Sequence, residues 1–465
     1  MKIVHLLPNY PPEFRGGIEM YTEAVCAELR GVGEDCLVLA GSERRADEGA
    51  IDWGEHEGVR VARFLRRPGE NYAVDLSFPS VREQLESVLR DERPDVAHVH
   101  HWMNLDTELV ALLTRLGIPA LVTLHDLFST CPRFFRVVDG RFCDKRFGFE
   151  ACIPCGSGLY VYETHDFELE LAARDLALRR ELGLACRVIA PSRAQEQFVE
   201  EVFPGACEAH VLPHGNARSL EPASAGEAAV SGPLRIGFWG NLVDSKGPQV
   251  LLDAVRRLSN PSAAQVHLWG GTPDPGFAAR LQELADGLSV TFHGKFGPKD
   301  LPAIGRQVDV AAFPTLCFES YSFVLDEALL LGLPAIVSER GALEERVGEA
   351  GWTVPPGDAA ALASLLERLT VDRGEVASKA AATRGQKPWT IGEHVDALRD
   401  LYREAIERGP QERLDRSSFQ RSELVEKLGE ALPEPLTSAA IDQVLKDLRS
   451  RYRRIIPPPP TESPS

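Results

Sequence analysis

The sequence lacks any apolar run approaching 18 residues, and the apolar stretch at its N-terminus, residues 1–8, is too short for the core of a signal peptide. We therefore expect no transmembrane helix and a cytoplasmic location. Positive charge is also scarce, because 51 Lys and Arg face 69 Asp and Glu and leave a formal net charge of -18. Nucleic-acid binding depends on cations that neutralise phosphates, so this balance argues against a nucleic-acid partner. An anionic substrate would need a local cationic pocket.

The hydrophobic pattern is typical of a parallel α/β protein. The chain has 465 residues, of which 44% are hydrophobic, enough for two or three domains with buried cores. Apolar residues recur every three or four positions in Ile18–Leu29, which predicts a helix. Short β-branched runs alternate with such segments. These runs predict strands at Lys2–Leu7, Cys36–Ala40, Val59–Phe64, Val96–His100, Ala120–Leu124, Arg187–Ala190, Leu234–Trp239, Val266–Trp269, Val290–His293, Val308–Phe313 and Ala335–Ser338.

The alternation stops at residues 218–233, a stretch rich in Ala, Ser, Gly, Glu and Pro that we interpret as a linker. We therefore predict two doubly wound lobes in tandem, residues 1–217 and 234–388. A helix over residues 389–408 should follow. Residues 409–465 contain one amphipathic stretch and end in a Pro-rich tail, which predicts a helical extension followed by disorder.

Unusual glycine and polar residues follow four of the predicted strands. They are Gly16-Gly17, His125-Asp126, the segment Gly240–Gly247, and Glu319. Ligands of open α/β sheets bind beyond the carboxyl ends of the strands, so all four groups would line one cleft if the lobes face each other. Gly16-Gly17 would offer free N–H groups to an anion, although most glycine pairs are ordinary turns. Lys246 could neutralise a diphosphate or be a solvated surface lysine.

The segment after Phe313 is the most informative. A strand ends at Pro314 and a helix begins near Ser322, which Ser320 or Ser322 can cap, leaving the first amides for phosphate oxygens. Glu327 lies on an otherwise apolar helix, where a carboxylate needs a partner. A ribose diol and a neighbouring protein donor explain it equally well.

Taken together, these residues resemble the retaining glycosyltransferases of family 4, which have the two-lobed GT-B fold. Glu319 and Glu327 match the family's E-x7-E motif. The other matching segments, spread over residues 1–408, are Gly16-Gly17, Pro94–His100, His125, Ala190–Ser192, Leu212–Gly215, Gly240–Gly247 and Gly332–Val337.

The resemblance implies a complete donor site. His125 and Glu319 would be the catalytic residues, next to the transferred sugar. The remaining residues would bind the nucleotide sugar: Lys246 and Asn241 near the diphosphate, Gly16 and Gly17 opposite them, the amides of Ser320, Tyr321 and Ser322 on sugar or phosphate oxygens, and Glu327 on the ribose. The segment after Trp389 would be the helix that returns to the first lobe.

The chain departs from the family pattern at several positions. Many members have arginine in place of Asn241, so Lys246 and the helix N-termini must do more to neutralise the diphosphate. Ser320 and Ser322 replace the commoner glycines and narrow the sugar pocket. His214-Gly215 replaces the usual Asn-Gly turn.

The resemblance also implies a reaction. No D-x-D triplet occurs, which argues against a metal-bridged diphosphate and agrees with the family's metal-independent habit. The expected activity is retaining transfer of a sugar from a UDP- or GDP-linked donor, with no cofactor required. The acceptor would be a glycan, a lipid-linked molecule or a small molecule, in cell-surface polysaccharide or glycoconjugate synthesis.

A cysteine-rich segment follows His125. Cys131, Cys143, Cys152 and Cys155 have the spacing C-x11-C-x8-C-x2-C, which we interpret as a structural Zn²⁺ site rather than a set of buried thiols. Basic and aromatic residues lie among these cysteines. They could contact anionic lipid at the inner membrane face or hold a pyrophosphate-linked acceptor. The alternative is that the phenylalanines pack the loop and its arginines are solvated.

Three other classes of function stay open on the sequence. One is another two-lobed nucleotide-sugar enzyme, such as an epimerase. The second is a non-catalytic nucleotide-sugar-binding or scaffold protein, for which Asn241 and the long C-terminal extension leave room. The third is a Cys-rich redox or iron–sulfur protein.

Overall fold

The computed structural model describes residues 1–70, 78–138, 140–145, 152, 155, 167–205, 207–217, 220 and 232–410. Most of the predicted linker and nearly all of the predicted C-terminal extension lie outside these residues. Within them the chain forms two lobes, each built on one sheet of parallel strands.

The N-terminal lobe has an eight-stranded sheet in the order β10-β9-β6-β5-β1-β2-β4-β3. Only β3 is antiparallel, where it pairs with β4 at the edge. The strands are β1 Lys2–Leu7, β2 Asp35–Arg45, β3 Ala50–His56, β4 Val59–Arg66, β5 Val96–Val99, β6 Ala120–Thr123, β9 Arg187–Ala190 and β10 Ala209–Val211, and a separate hairpin pairs β7 Val137–Val138 with β8 Arg141–Phe142. The helices are α1 Gly17–Gly31, α2 Pro79–Glu92, α3 Leu109–Leu116, α4 Phe167–Leu184 and α5 Arg193–Val202.

The C-terminal lobe has a six-stranded parallel sheet in the order β13-β12-β11-β14-β15-β16. Its strands are β11 Leu234–Trp239, β12 Ala264–Trp269, β13 Val290–Gly294, β14 Val310–Phe313, β15 Ala335–Ser338 and β16 Gly351–Val354. Its helices are α6 Pro248–Arg256, α7 Pro275–Ala285, α8 Leu301–Gln307, α9 Phe323–Leu330, α10 Ala342–Val347, α11 Ala359–Val371 and α12 Arg373–Ala382.

In both sheets the strand order reverses near the middle, between β1 and β5 and between β11 and β14. Loops that leave neighbouring strands at such a point turn to opposite faces of the sheet and open a crevice for ligand. Central strands such as β5 and β14 are buried at every residue. This explains why they read as unbroken apolar runs in the sequence.

A last helix, α13 Ile391–Arg408, returns to the N-terminal lobe. Thr390 caps it by accepting from the Glu393 amide, and the Glu393 carboxylate accepts from the Thr390 amide at 2.9 Å. Its buried face joins the core of the first lobe, where Tyr402 bonds to His98 and His394 bonds to Tyr21, both at 2.7 Å. The predicted doubly wound α/β architecture is confirmed.

Several elements were not predicted. They are the strands β3, β10 and β16 and the β7–β8 hairpin. Four of the seven β3 residues are exposed and two of these are acidic, and β16 begins with Gly351, so neither shows an apolar run. The predicted strand at Val308–Phe313 begins two residues later, at Val310.

A buried carboxylate supports the N-terminal lobe. Glu181 of α4 is fully buried and accepts from the amides of Val110 and Ala111, in the first turn of α3, at 2.6 and 2.9 Å. It also accepts from the Trp102 indole at 3.0 Å. Burial raises its pKa from 4.5 to about 7, although these donors oppose the shift.

We expect this carboxyl to make the protein less stable as pH rises from about 4.5 to 7. A carboxyl with a raised pKa in the folded state binds its proton more tightly there, so its contribution is complete below 4.5 and lost through pH 7. The loss should reach about 3 kcal/mol of unfolding free energy. The difference between urea titrations of wild type and Glu181→Gln isolates the contribution of this carboxyl to the unfolding free energy, because buried histidines affect both proteins alike. Parallel pH profiles in the two proteins would contradict the prediction.

Candidate active site

The strand-end residues of both lobes meet in one cleft. The Ser320 hydroxyl donates to the main-chain carbonyl of His125, and the Tyr321 hydroxyl donates to the main-chain carbonyl of His214. The loop after β14 therefore touches loops of the N-terminal lobe directly. This brings Glu319 and its neighbours to the side of the cleft that faces His125.

Lys246 and Glu319 form an ion pair in this cleft. The Lys246 Nζ lies 2.6 Å from Glu319 Oε1, and the two side chains are 31% and 15% exposed. Burial alone would lower the pKa of Lys246, but the Glu319 carboxylate outweighs burial and raises it. Lys246 is thus a fixed cation that remains within reach of solvent. Lys246 is therefore not an unpaired lysine on the surface, which was the alternative interpretation of the sequence.

Glycines hold the loops around this pair in place. Gly247 has a φ of +78°, and a Cβ there would lie 1.9 Å from the Pro314 carbonyl oxygen. Leu316 donates its amide to the Ser245 carbonyl at 2.9 Å, which ties the two loops together. Gly341 has a φ of +64°, and a Cβ there would lie 2.5 Å from the Glu319 carbonyl oxygen. Side chains at either glycine would push the lysine loop or the glutamate loop out of position.

Glu327 lies deeper, on α9, and is 2% exposed. Its Oε2 accepts from the Trp239 indole N–H at 2.8 Å. This contact agrees with one of the two explanations that the sequence left open for Glu327, a neighbouring protein donor. A carboxylate can accept several hydrogen bonds, so this contact does not decide between the two explanations.

Neither serine caps α9 through its side chain, contrary to the sequence prediction. Ser322 is the N-cap residue, but it has a φ of +75° and makes no side-chain cap bond. Ser320 instead donates across the cleft to His125. The left-handed conformation at Ser322 explains why a glycine suits this position, since only glycine adopts it without strain.

The expected free amide at Gly16 is also absent from the structure. Gly16 N–H donates to the Glu19 carboxylate at 2.9 Å, and Glu19 is 3% exposed. Glu19 thus occupies the anion position at the start of α1, and burial raises its pKa. An incoming phosphate would have to compete with this carboxylate or bind other amides of the turn.

His125 lies at the end of a chain of buried imidazoles. Its Nε2 is 3.0 Å from His100 Nδ1, and His100 Nε2 is 3.1 Å from His5 Nδ1. The His125 ring stacks on His214 with centroids 4.9 Å apart and meets Tyr21 edge-on at 4.9 Å. The position of the His125 ring is therefore fixed from inside the lobe.

We expect activity to lack the usual histidine inflection near pH 6.5. Burial lowers the pKa of His125 to about 3, because Asp126 only partly offsets the desolvation of a charged ring. The imidazole then stays neutral between pH 5 and 8. A profile of kcat/KM between pH 5 and 8 checks this. A loss of activity centred near pH 6.5 that disappears in His125→Gln would contradict it.

The cysteine loop contacts the C-terminal lobe. Cys131, Cys143, Cys152 and Cys155 are all partly exposed. Arg133 donates to the Cys155 carbonyl at 3.0 Å, which draws the two ends of the segment together. Two groups of metal-ligating side chains are found in the part of the chain that the structure describes, and neither contains a cysteine of this loop. The zinc site stays a prediction.

The expectation that the loop's arginines are solvated is wrong for Arg136. This guanidinium is buried and donates to the Cys143 carbonyl at 2.7 Å and to the Thr130 hydroxyl at 3.0 Å. Arg133 likewise bonds within the loop, although Arg141 is exposed. The buried Arg136 guanidinium therefore holds the loop in shape and does not face outward toward lipid.

Four side chains at the cleft are not among the residues predicted for the site. The Phe135 ring lies 5.6 Å from Lys246 Nζ, and the Phe142 ring packs against Phe318 with centroids 5.9 Å apart. Arg340, at the end of β15, stacks over Phe142 at 4.8 Å. No spacing motif marks these residues, because their contacts depend on how the two lobes meet. Asn241, which stands in place of a second cation, is exposed at the start of its loop.

No described helix combines the length and the apolar character needed to cross a membrane.

The chain matches known families over both lobes. Residues 15–216 match Glycosyltransferase Family 4, and residues 233–372 match Glycosyl transferases group 1. The chain is 34% identical over 376 residues to D-inositol 3-phosphate glycosyltransferase of Corynebacterium efficiens, which covers 77% of this chain and 82% of that protein.

Solved structures agree on the fold. Sucrose-phosphate synthase from Thermosynechococcus elongatus superimposes with a TM-score of 0.65 at 21% identity, over 88% of this chain and 100% of that one. Anabaena HepE in complex with UDP gives a TM-score of 0.61 at 17% identity, over 86% and 99% of the two chains. These matches support neither an epimerase nor a redox protein. The chain belongs to the family 4 glycosyltransferases and has their GT-B fold.

Proposed function

We propose that this glycosyltransferase moves a sugar from a nucleoside diphosphate sugar to an acceptor hydroxyl, retaining the anomeric configuration and using no metal bridge. The observation that carries this proposal is the Lys246–Glu319 pair, 2.6 Å apart at the start of α9 and facing His125 across the cleft. A cation, a carboxylate and a neutral imidazole there suit a diphosphate leaving group and a neutral sugar.

The diphosphate is proposed to lie between Lys246 and the first amides of α9. Departure of the nucleoside diphosphate develops negative charge, which a positioned cation and a helix N-terminus stabilise without reorganisation. Glu327, farther along the same helix, would accept from the ribose hydroxyls. UDP-sugars are the first donors to test, because a structural neighbour is known in complex with UDP.

Retention requires attack on the face from which the leaving group departs. In the proposed step, the acceptor oxygen bonds to the anomeric carbon as the bond from that carbon to the phosphate oxygen breaks. The acceptor proton passes to the departing phosphate oxygen. Neutral His125 would hydrogen-bond a sugar hydroxyl, and Glu319 would contact the sugar while it fixes Lys246.

The proposed acceptor is a polyol or sugar hydroxyl. A curated relative acts, by its name, on D-inositol 3-phosphate, which makes phosphorylated polyols the first small acceptors to try. The proposal also includes glycan and lipid-linked acceptors and a role in polysaccharide synthesis. It further includes peripheral contact of the cysteine loop with a membrane.

A binding screen followed by a turnover assay tests the proposal. Donor at 100 times its dissociation constant should stabilise the protein by about 2.7 kcal/mol, visible as a thermal shift with UDP or GDP and their sugars. NMR of the product should show the donor's anomeric configuration. An inverted product would contradict retention. Tight nucleotide binding without transfer or hydrolysis of any donor would instead indicate the non-catalytic binder.

A further inference from the structure

One of the two groups of metal-ligating side chains in the described residues combines thiols with an imidazole, and it lies in the core of the N-terminal lobe, away from the cysteine loop. It consists of His5 on β1, Cys26 on α1 and Cys36 on β2, whose ligand atoms all lie within 4.8 Å of one another. The three side chains are 0%, 0% and 5% exposed. We call this group the buried Cys–His cluster.

The strand register explains why these residues meet. β1 and β2 are parallel, with Ile3 opposite Cys36 and His5 opposite Val38. Residues two apart on a strand share a face, so His5 and Cys36 point to the same side of the sheet. Cys26 belongs to the same core cluster and comes from α1, which packs on this side. Three neighbouring elements thus each supply one ligand.

The cluster also brings further polar groups next to the thiols. His5 Nδ1 is 3.1 Å from His100 Nε2, and the His5 ring lies beside the Cys36 thiol. The Tyr10 hydroxyl, on a side chain that is 1% exposed, lies next to the Cys26 thiol. Two thiols, an imidazole and a hydroxyl therefore converge in a buried core, as the donors of a metal site do.

We propose that the buried Cys–His cluster binds one Zn²⁺ ion through Cys26, Cys36 and His5 Nε2, with the Tyr10 hydroxyl in the fourth position. Thiolate and imidazole are the donors that Zn²⁺ prefers in structural sites. Binding releases the two thiol protons to solvent, and the resulting two thiolates balance the charge of the ion. The occupied site is therefore neutral, as a site with no exposure needs to be.

The spacing of the ligands fits a tetrahedral ion. Zn–S and Zn–N bonds of about 2.3 and 2.0 Å put tetrahedral donors roughly 3.3–3.8 Å apart. Donors that already lie within 4.8 Å of one another reach that separation by small inward shifts. The contact of His5 Nδ1 with His100 Nε2 supplies the second hydrogen bond that metal-bound histidines usually make.

One consequence reaches the cleft and rests on the proposed function. With Zn²⁺ on His5 Nε2, the proton of His5 lies on Nδ1 and is donated to His100 Nε2. His100 then carries its proton on Nδ1 and donates it to His125 Nε2, 3.0 Å away. His125 is left with its N–H on Nδ1, as a donor to substrate. The buried ion would thus set the tautomer of His125, at the other end of the series of imidazoles.

Metal analysis and X-ray absorption of the full chain, purified without chelator, test the site without any activity assay. The background is Cys152→Ala/Cys155→Ala, which removes the predicted loop site. We expect about one zinc per chain in this background, with two sulfur ligands and the remainder nitrogen or oxygen. A metal-free background protein, or a shell of four sulfurs, would overturn the proposal.

Variants assign the ligands. In the same background, Cys36→Ser and His5→Gln should each remove most of the bound zinc, whereas the matched control Cys186→Ala, at another buried thiol, should keep it. Should the ligand variants fail to fold, Co²⁺ replacement in the background protein gives the thiolate charge-transfer absorption. Mass spectrometry showing a Cys26–Cys36 disulfide in freshly purified protein would also overturn the proposal. Failure of the proposed function would leave all these readouts unchanged.

Discussion

Replacing Lys246 by alanine should lower kcat/KM for the nucleotide sugar by about 100- to 1,000-fold, the range seen when a positioned group that stabilises transition-state charge is removed. The loss should be large here because Asn241 gives no second cation in its loop and the Gly16 amide is already engaged by Glu19. Removal of Lys246 also leaves the Glu319 carboxylate without its partner, next to an incoming diphosphate. Steady-state kinetics with the donor found in the screen measure the effect.

Lys246 and Glu319 are in direct contact, so a double-mutant cycle measures the coupling between them. Residues in contact have non-additive effects, so Lys246→Ala/Glu319→Gln should cost less than the sum of its single variants. Lys246→Arg, which keeps the charge, should lose less than Lys246→Ala. Lys379→Ala, at a surface ion pair with Glu349, is the control and should be near wild type. A loss below about threefold in Lys246→Ala would mean that the diphosphate is neutralised elsewhere.

The parallel strands could be predicted because burial on both faces makes each of them an unbroken apolar run. The strand β3 could not, since it lies at the edge with most of its residues exposed and is joined to β4 by a turn at Glu57-Gly58, where both residues have positive φ. Such a hairpin is usually marked by Asn-Gly or Asp-Gly, and Glu-Gly is a weaker signal.

Within the site, sequence position predicted which residues come together but not their partners. The strand-end rule placed Lys246, Glu319 and His125 at one cleft, because it follows from the topology of parallel sheets. The Glu19 carboxylate on Gly16 was missed, although its spacing of three residues is that of a capping box. The bond from Ser320 to His125 was beyond reach, because it depends on how two separate lobes pack together.

The contacts among the buried imidazoles also could not be predicted from the sequence alone. His98 on β5 and His100 directly after it lie on either side of Val99, and this spacing of two predicts that both point to one face. Their neighbours on that face come from β1, from the loop after β6 and from α13, which lie far apart in the sequence. Only the order of strands in the sheet brings these residues together.

Glu327→Gln should weaken donor binding about 30-fold, which corresponds to about 2 kcal/mol, the scale of a hydrogen bond to a charged group. The carboxylate is 2% exposed and its Oε2 accepts from the Trp239 indole at 2.8 Å. Glutamine keeps the shape and one accepting oxygen, so the bond to Trp239 can persist. What glutamine cannot provide is a charged acceptor for a vicinal diol.

Trp239→Phe separates the two roles of this carboxylate. It removes one protein donor of Glu327 and should lower the unfolding free energy, because a buried charge loses a partner, while affinity for the nucleotide sugar should change less than in Glu327→Gln. Calorimetric titration with the nucleotide and urea unfolding give the two quantities for both variants. Unchanged donor affinity in Glu327→Gln, together with a fall in stability like that of Trp239→Phe, would make Glu327 a structural carboxylate. The ribose would then have to bind elsewhere on the C-terminal lobe.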